Sequence, residues 1–461
     1  MIPLTLAEIA RVVDGTVPDG TDPELTVTGP VVTDSREVAS GALFAAIVGE
    51  RSDGHDFASA VYAAGAVAVL GSRPVDGPCV VVADVVAALT ELARYVREQL
   101  SPVVIALTGS VGKTTTKDML AQIFEHEAPT VATAGSYNNE IGLPLTVLRA
   151  GHETRYLVLE MGAAKPGDIT HLLRVGQPQI GMVLNVGTSH LLTMGGVEGV
   201  ARTKGEMVRG LPAAAEGGIA VLNAADERVA PMARETPAEV RFFGDGQDSS
   251  VWARDVTLDT EGRASFTLHT ATEQAPVRLH HLGEHQVANA VAAACAATAA
   301  GLPLDRIAAA LSGAVPRSQG RFEIKERPDG VTVIDDAYNA NLASMRASLQ
   351  TFARMAGERR KVAVLGEMMH MAEDTVRHHT SIGTLTHSLG VDTLVVVGKG
   401  DGPDAIAAAA REAGGSVHAV PDLDDAIALL RESLRPGDVV LIKGSSIVGL
   451  SAVAKALHEP A

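Results

Sequence analysis

The run Val103-Val104-Ile105-Ala106-Leu107-Thr108 leads straight into Gly109-Ser110-Val111-Gly112-Lys113-Thr114-Thr115, and a helical pattern follows from Lys117 to Glu127. An apolar strand, a glycine-rich loop and a helix, in that order, commit this part of the chain to an α/β layer built around an anion. Glycines let backbone N–H groups converge on phosphate oxygens. The helix N-terminus adds partial positive charge. Lys113 is expected to reach the β- and γ-phosphates of a nucleotide, and the Thr114 hydroxyl to ligate Mg²⁺. Gly109, Ser110, Gly112, Lys113, Thr114 and Thr115 are therefore candidate nucleotide-binding residues. The strict pattern Gly-x-x-x-x-Gly-Lys-Ser/Thr is not met, because its first glycine would fall at Leu107. A phosphate loop by itself leaves ligase, kinase, GTPase and motor open.

The 461 residues suggest two to four domains. Three segments are expected. Residues 1–100 carry short strand-like runs (TVTGPVVTD, GALFAAIVG, AVAVL, CVVVAD) and close on a helical pattern, after which Ser101-Pro102 marks a boundary. Residues 101–315 hold the phosphate loop and further buried-strand runs, YLVLEMG, IGMVLNVG and GGIAVLNA, which predict a parallel sheet covered on both faces. Between about Val251 and Leu279 the pattern alternates, as in antiparallel hairpins. Residues 316–461 repeat the strand–helix alternation in VTVIDDAYN, KVAVLGE, TLVVVGKG and VVLIKGS, Rossmann-like in outline but without a dinucleotide fingerprint. Aromatic residues make up only 3%, so small aliphatic side chains must pack these layers.

The formal net charge of −17 argues against a nucleic-acid or anionic-membrane footprint. Two cysteines, Cys79 and Cys295, lie in apolar runs and read as buried free thiols, which suits a reducing compartment. The N-terminus lacks the features of a signal peptide, and no apolar stretch reaches membrane-spanning length. A soluble cytoplasmic protein without stable membrane insertion is expected.

Further polar residues sit where α/β sites form, just beyond the strands. Glu160 ends YLVLE. His190 follows LNVGTS, and Lys204 lies downstream of it. A carboxylate and an imidazole past parallel strands, beside a phosphate loop, suggest a second Mg²⁺ or Mn²⁺ site, although imidazole is an unusual Mg²⁺ ligand.

TGSVGKTTTKDM, GSYNNEIGLPLT, LEMGA, LNVGTSHL and ARTKGEMV together resemble the central domain of the Mur ligase family. DSREVASGALFAAIVGERSDGHDF resembles a UDP-sugar-binding first domain of that family. LGEHQVANAVAAA, QGRFE and DDAYNAN extend the resemblance over nearly the whole chain. It implies an α/β fold with three-domain architecture: an acceptor-binding first domain, a central ATP-binding parallel-sheet domain, and a Rossmann-like C-terminal domain for the amine. It implies an ATP-dependent amide ligase joining D-Ala-D-Ala to a UDP-linked muramoyl peptide, acting as a monomer, with no nucleic acid as partner.

Carried over by motif, the phosphate-loop residues Lys113, Thr114 and Thr115 hold phosphates and metal, with Lys113 also catalytic. Glu160 and His190 hold a second metal, and Lys204 matches the family's carbamoylated lysine, His190 and Lys204 being placed among the catalytic residues. Asn138 and Asn139 position the acceptor. His285 and Asn289 fall on the adenine side, and Arg321 and Asp335 on the nucleotide-clamping edge. Ser35 and Arg36 mark the uridine site.

Three departures stand out. Asn341-Leu342 replaces the usual Asn-Pro, HLLTMGG replaces HLxxFG, and Lys443-Gly444-Ser445-Ser446 lacks the usual arginine. The last keeps open a paralogous ligase that uses another amine. A folylpolyglutamate synthetase lacks such a first domain, and a regulatory NTPase would turn over nucleotide without an amine.

Overall fold

A computed structural model describes residues 1–188, 190–245, 249–369 and 374–458. Its architecture is α/β. Near the N-terminus, strands Val31–Val32, Leu43–Ala45, Ala68–Gly71 and Cys79–Val81 form a parallel four-stranded sheet, beside a short antiparallel pair, Leu4–Thr5 with Thr26–Val27. The helix Val85–Glu98 follows, capped by the Asp84 carboxylate on the N–H groups of Val86 and Ala87.

The central sheet has six parallel strands, in the spatial order Glu239–Phe243, Ile219–Asn223, Ile180–Val183, Val103–Thr108, Tyr156–Glu160, Thr130–Ala132. Val103–Thr108 comes first in the chain yet lies inside the sheet. Succeeding strands go first to one side of it and then to the other. That reversal of winding opens a crevice at the carboxyl end of Val103–Thr108, which is where a ligand site forms in such sheets. The phosphate loop, Glu160 and the segment before His190 all leave the sheet at that end.

The helix Lys113–Glu125 packs Met119, Leu120, Ile123 and Phe124 against the alanine-rich helix His285–Ala299. Ala290 and Ala292 to Ala297, broken only by Cys295, are almost fully buried there. Small side chains let the two helices close without large aromatics. The alternating region is a separate antiparallel sheet of Trp252–Leu258, Arg263–His269 and Gln274–Leu282.

The C-terminal sheet runs Glu323–Glu326, Thr332–Asp335, Val439–Lys443, Lys361–Leu365, Thr393–Val397, Val417–Val420, and only the first of these strands is antiparallel. The short strands Thr130–Ala132 and Val417–Val420 have no clear periodic signal and were not foreseen. Among the described residues, no helix is long and apolar enough to cross a membrane.

Candidate active site

Gly112 adopts φ +80° at the start of the phosphate-loop helix, and any Cβ there would collide with the Asn289 side-chain oxygen. Glycine is thus required both by backbone conformation and by the close approach of Asn289. Asn289 donates to Gln286 Oε1 at 2.8 Å, and Gln286 Nε2 lies 3.1 Å from His285 Nε2. The loop is held from the other side by Asn185. Its Oδ1 accepts from the Ser110 and Val111 N–H groups, each at 2.9 Å, and its Nδ2 donates to Val111 O at 3.0 Å. Asn185, beyond the Ile180–Val183 strand, escaped the sequence reading; its place after a parallel strand was the available signal.

Lys113 folds back and donates to Gly109 O at 2.8 Å. Burial pushes its pKa down, Glu160 pulls it back up, and Arg321 adds a smaller downward push. Glu160 is 1% exposed. Its Oε1 accepts from Asn138 Nδ2 at 2.6 Å, while its Oε2 is buried with no hydrogen-bond partner among the described residues. A carboxylate oxygen left bare at that depth is costly unless a cation meets it. Lys204 is 4% exposed, and burial together with the neighbouring Lys113 charge drives it well below the ordinary lysine value. His190 stands at φ +59°, at the N-cap of Leu191–Met194. Ser189, in the same motif, lies outside the described residues.

Gly109, Ser110, Lys113, Asn138, Asn139, Glu160, His190, Lys204 and Arg321 line one cavity of about 950 Å³. A second cavity, about 760 Å³, lies on the other side of the same helix start and is lined by Thr115, Asp118, His281, Gln286 and Arg321 among others. Arg321 borders both. It reaches across from the C-terminal segment to Thr114 Oγ1 at 3.0 Å and Ser136 Oγ at 3.2 Å, and its guanidinium lies 4.2 Å from the Tyr338 ring centroid. Tyr338, Ser136 and Gln286 were not singled out from sequence.

The remaining candidates lie elsewhere. Asp335 is not among the residues lining either cavity; its carboxylate accepts from the Ala337 N–H at 3.0 Å and shapes the following turn. The neighbouring Asp336 instead pairs with buried Lys443 at 2.7 Å and so fixes the Tyr338-bearing loop. His285 and Asn289 support the loop from behind. Ser35 and Arg36 sit on a separate turn near the N-terminal sheet, where Arg36 is 87% exposed and paired with Asp34.

Among the described residues, no group of three or more His, Cys, Asp or Glu side chains could enclose a metal. Mg²⁺ does not require one, since it commonly takes one or two carboxylates plus substrate phosphates and water. The bare Glu160 oxygen and the Thr114 hydroxyl fit that donor set.

Three family signatures cover most of the chain: "Mur ligase family, catalytic domain" over residues 30–106, "Mur ligase middle domain" over 107–297, and "Mur ligase, glutamate ligase domain" over 320–446. A UDP-N-acetylmuramoyl-tripeptide–D-alanyl-D-alanine ligase of Mycobacterium tuberculosis is 45% identical, with 99% of this chain and 98% of the relative aligned. The chain belongs to the Mur ligase family. It is an ATP-dependent ligase that forms C–N bonds.

The ligase of the same name from Escherichia coli is 36% identical across 100% of this chain and 99% of its own length. A crystal structure of MurF from Acinetobacter baumannii matches with TM-score 0.84 and 33% identity, covering 99% of both chains. MurF ligase from Thermotoga maritima, solved in complex with ADP, matches with TM-score 0.76 and 28% identity over 94% of this chain and 97% of the other. The three-domain Mur ligase fold expected from sequence is thus the fold observed.

Proposed function

We propose that this Mur ligase adds D-alanyl-D-alanine to UDP-N-acetylmuramoyl-tripeptide, consuming ATP, in peptidoglycan precursor synthesis. The full-length relatives named for that reaction support the choice of substrates. The paralogous reading drew on Ser446 in place of arginine, and identity at this level over the whole chain disfavours it. The observation that carries the chemistry is the meeting of an uncompensated Glu160 oxygen with Lys113 and the buried Lys204 in one cavity.

In this reading, residues 1–100 bind the acceptor nucleotide, 101–315 bind ATP, and 316–461 bind the amine. Lys113 lies against the terminal phosphates, and Thr114 and Glu160 face the cations. Bound Mg²⁺ would neutralise charge on the transferring phosphoryl group. Asn138 and Asn139 hold the acceptor so that its carboxylate meets the γ-phosphate. The acyl phosphate formed there, with ADP as leaving group, is attacked by the amine, and the tetrahedral intermediate collapses to the amide with loss of inorganic phosphate and a proton. Arg321, bridging from the C-terminal segment, closes the cavity against water, which would otherwise hydrolyse the acyl phosphate.

Lys204 takes a further role. An ammonium would repel metal. A neutral amine can add CO₂, lose a proton and become an anionic carbamate with two oxygens, the ligand type hard cations favour. Lys204 carbamoylated in this way stands beside Glu160 and His190.

The deciding experiment is ADP release with UDP-N-acetylmuramoyl-tripeptide, with and without D-Ala-D-Ala and other amines. Turnover is expected only with acceptor and dipeptide together. Equal turnover without either refutes the ligation reading, and turnover with another amine alone selects the paralogue.

A further inference from the structure

We propose that His281 recognises the nucleoside of the bound nucleotide, hydrogen-bonding its base or its sugar from the inner face of the antiparallel sheet. The proposal rests on the ATP-dependent reading above.

Strand Gln274–Leu282 alternates strictly. Ala275, Val277 and Leu279 turn inward and join the apolar core with Phe266 and Leu268. His281 is the next residue of that inward row. It is only 4% exposed, yet among the described residues neither Nδ1 nor Nε2 has a hydrogen-bond partner. A leucine would continue the row at no polar cost. An imidazole there gives up hydration at both nitrogens and recovers no hydrogen bond from the described residues.

The row ends at the 760 Å³ cavity, which His281 lines together with Thr115, Asp118, Gln286 and Arg321. Asp118 is not its partner, being engaged by Lys117 and by Ser318 Oγ at 2.6 Å. The two cavities flank one helix start and share Arg321. A nucleotide whose terminal phosphate lies among Lys113 and Glu160 finds room for its nucleoside past Thr115, in the cavity that His281 lines. The volume falls in the usual range for a small-molecule pocket.

Burial lowers the imidazole pKa to about 4; Asp118 opposes this weakly and His280 reinforces it. At neutral pH the ring is uncharged and offers one N–H donor and one acceptor, which suits a base edge or a hydroxyl.

His281→Leu tests this. MgADP affinity, measured by calorimetry, is expected to fall about tenfold, the loss of one good hydrogen bond. KM for ATP should rise alongside with kcat retained, while the nucleotide-free variant melts no lower than wild type. His281→Phe repeats the test with a ring of similar size. Two analogues locate the contact, 2′-deoxy-ATP for the sugar and purine riboside triphosphate for the base. Wild type should lose affinity for one of them, and the variants should not distinguish that analogue from ATP. Variants that bind MgADP as tightly as wild type, with or without a fall in melting temperature, make His281 a core histidine and overturn the proposal. Wild-type protein that binds no MgADP overturns the ATP-dependent reading as well.

Discussion

At the scale of single residues, the site is a set of charges placed where water cannot screen them. Lys113 illustrates this. Among the described residues its side chain bonds to its own loop, at Gly109 O, so little of the fold depends on it. Lys113→Ala is expected to keep the wild-type melting temperature and to lose about 10²-fold or more in kcat, the usual cost of removing a charge-stabilising contact. A variant retaining a tenth of wild-type turnover would make the loop structural. Lys204→Ala should lose most activity too, and near-normal kcat and KM would rule out a carbamate there. His281 makes a prediction about pH. Its pKa is about 4 in the fold, against roughly 6.5 for a free imidazole. Between those values the unfolded chain binds the extra proton, so this residue's contribution to stability is complete above about pH 6.5 and is lost as pH falls toward 4. The melting temperature of His281→Leu should consequently decline less steeply over that window than that of wild type.

At the scale of elements, the phosphate-loop helix does more than present its N-terminus. Thr114, Asp118, Gln122 and Glu125 recur at helical spacing, and each binds the segment leading into the C-terminal sheet. Thr114 meets Arg321, Asp118 meets Ser318, and Glu125 meets Arg317. Gln122 makes a reciprocal pair with the Val315 backbone, donating at 2.9 Å and accepting at 3.0 Å. The linker is thereby pinned along the same helix whose start carries the phosphate loop. Gln122 is only 5% exposed, but Val315 is 47% exposed, so in Gln122→Ala water takes over part of the lost pairing. A loss of about 1 kcal/mol is expected in denaturant unfolding. Faster proteolysis between residues 314 and 320 would accompany it, and unchanged cleavage would show that the pinning is incidental.

At the scale of the whole molecule, Arg321 of the C-terminal segment borders both cavities at the phosphate-loop helix, so on the proposed function the spacing of the central and C-terminal layers sets the chemistry. Gly283 marks one point of contact. Its φ is +101°, and a Cβ there would come within 2.6 Å of Thr351 Oγ1 on the C-terminal helix Leu342–Ala356. Gly283→Ala should wedge the two layers apart. A several-fold rise in KM for ATP is expected without unfolding, because Arg321 and Tyr338 ride on the displaced layer. Unchanged KM would mean that the interface absorbs the methyl group elsewhere.

The strand–loop–helix at residues 103–125, the parallel strands bearing Glu160, and the three-segment layout were determined by the sequence itself. Apolar runs, glycine spacing and a lysine at a helix start are local signals that act through backbone geometry. The antiparallel character of 252–282 was readable from alternation for the same reason. Tertiary structure alone decided which polar groups meet. Asn185 hydrogen-bonds one loop while Asn289, on a helix far away in the chain, packs close against its Gly112, and no local pattern announces such a meeting. Asp335 and Asp336 are neighbours of the same type, yet one shapes a turn while the other pairs with Lys443, a choice made by the register of Thr332–Asp335 against Val439–Lys443. His281 reads as one more histidine until the sheet turns it inward, because whether a buried polar atom finds a partner is a property of packing and not of sequence.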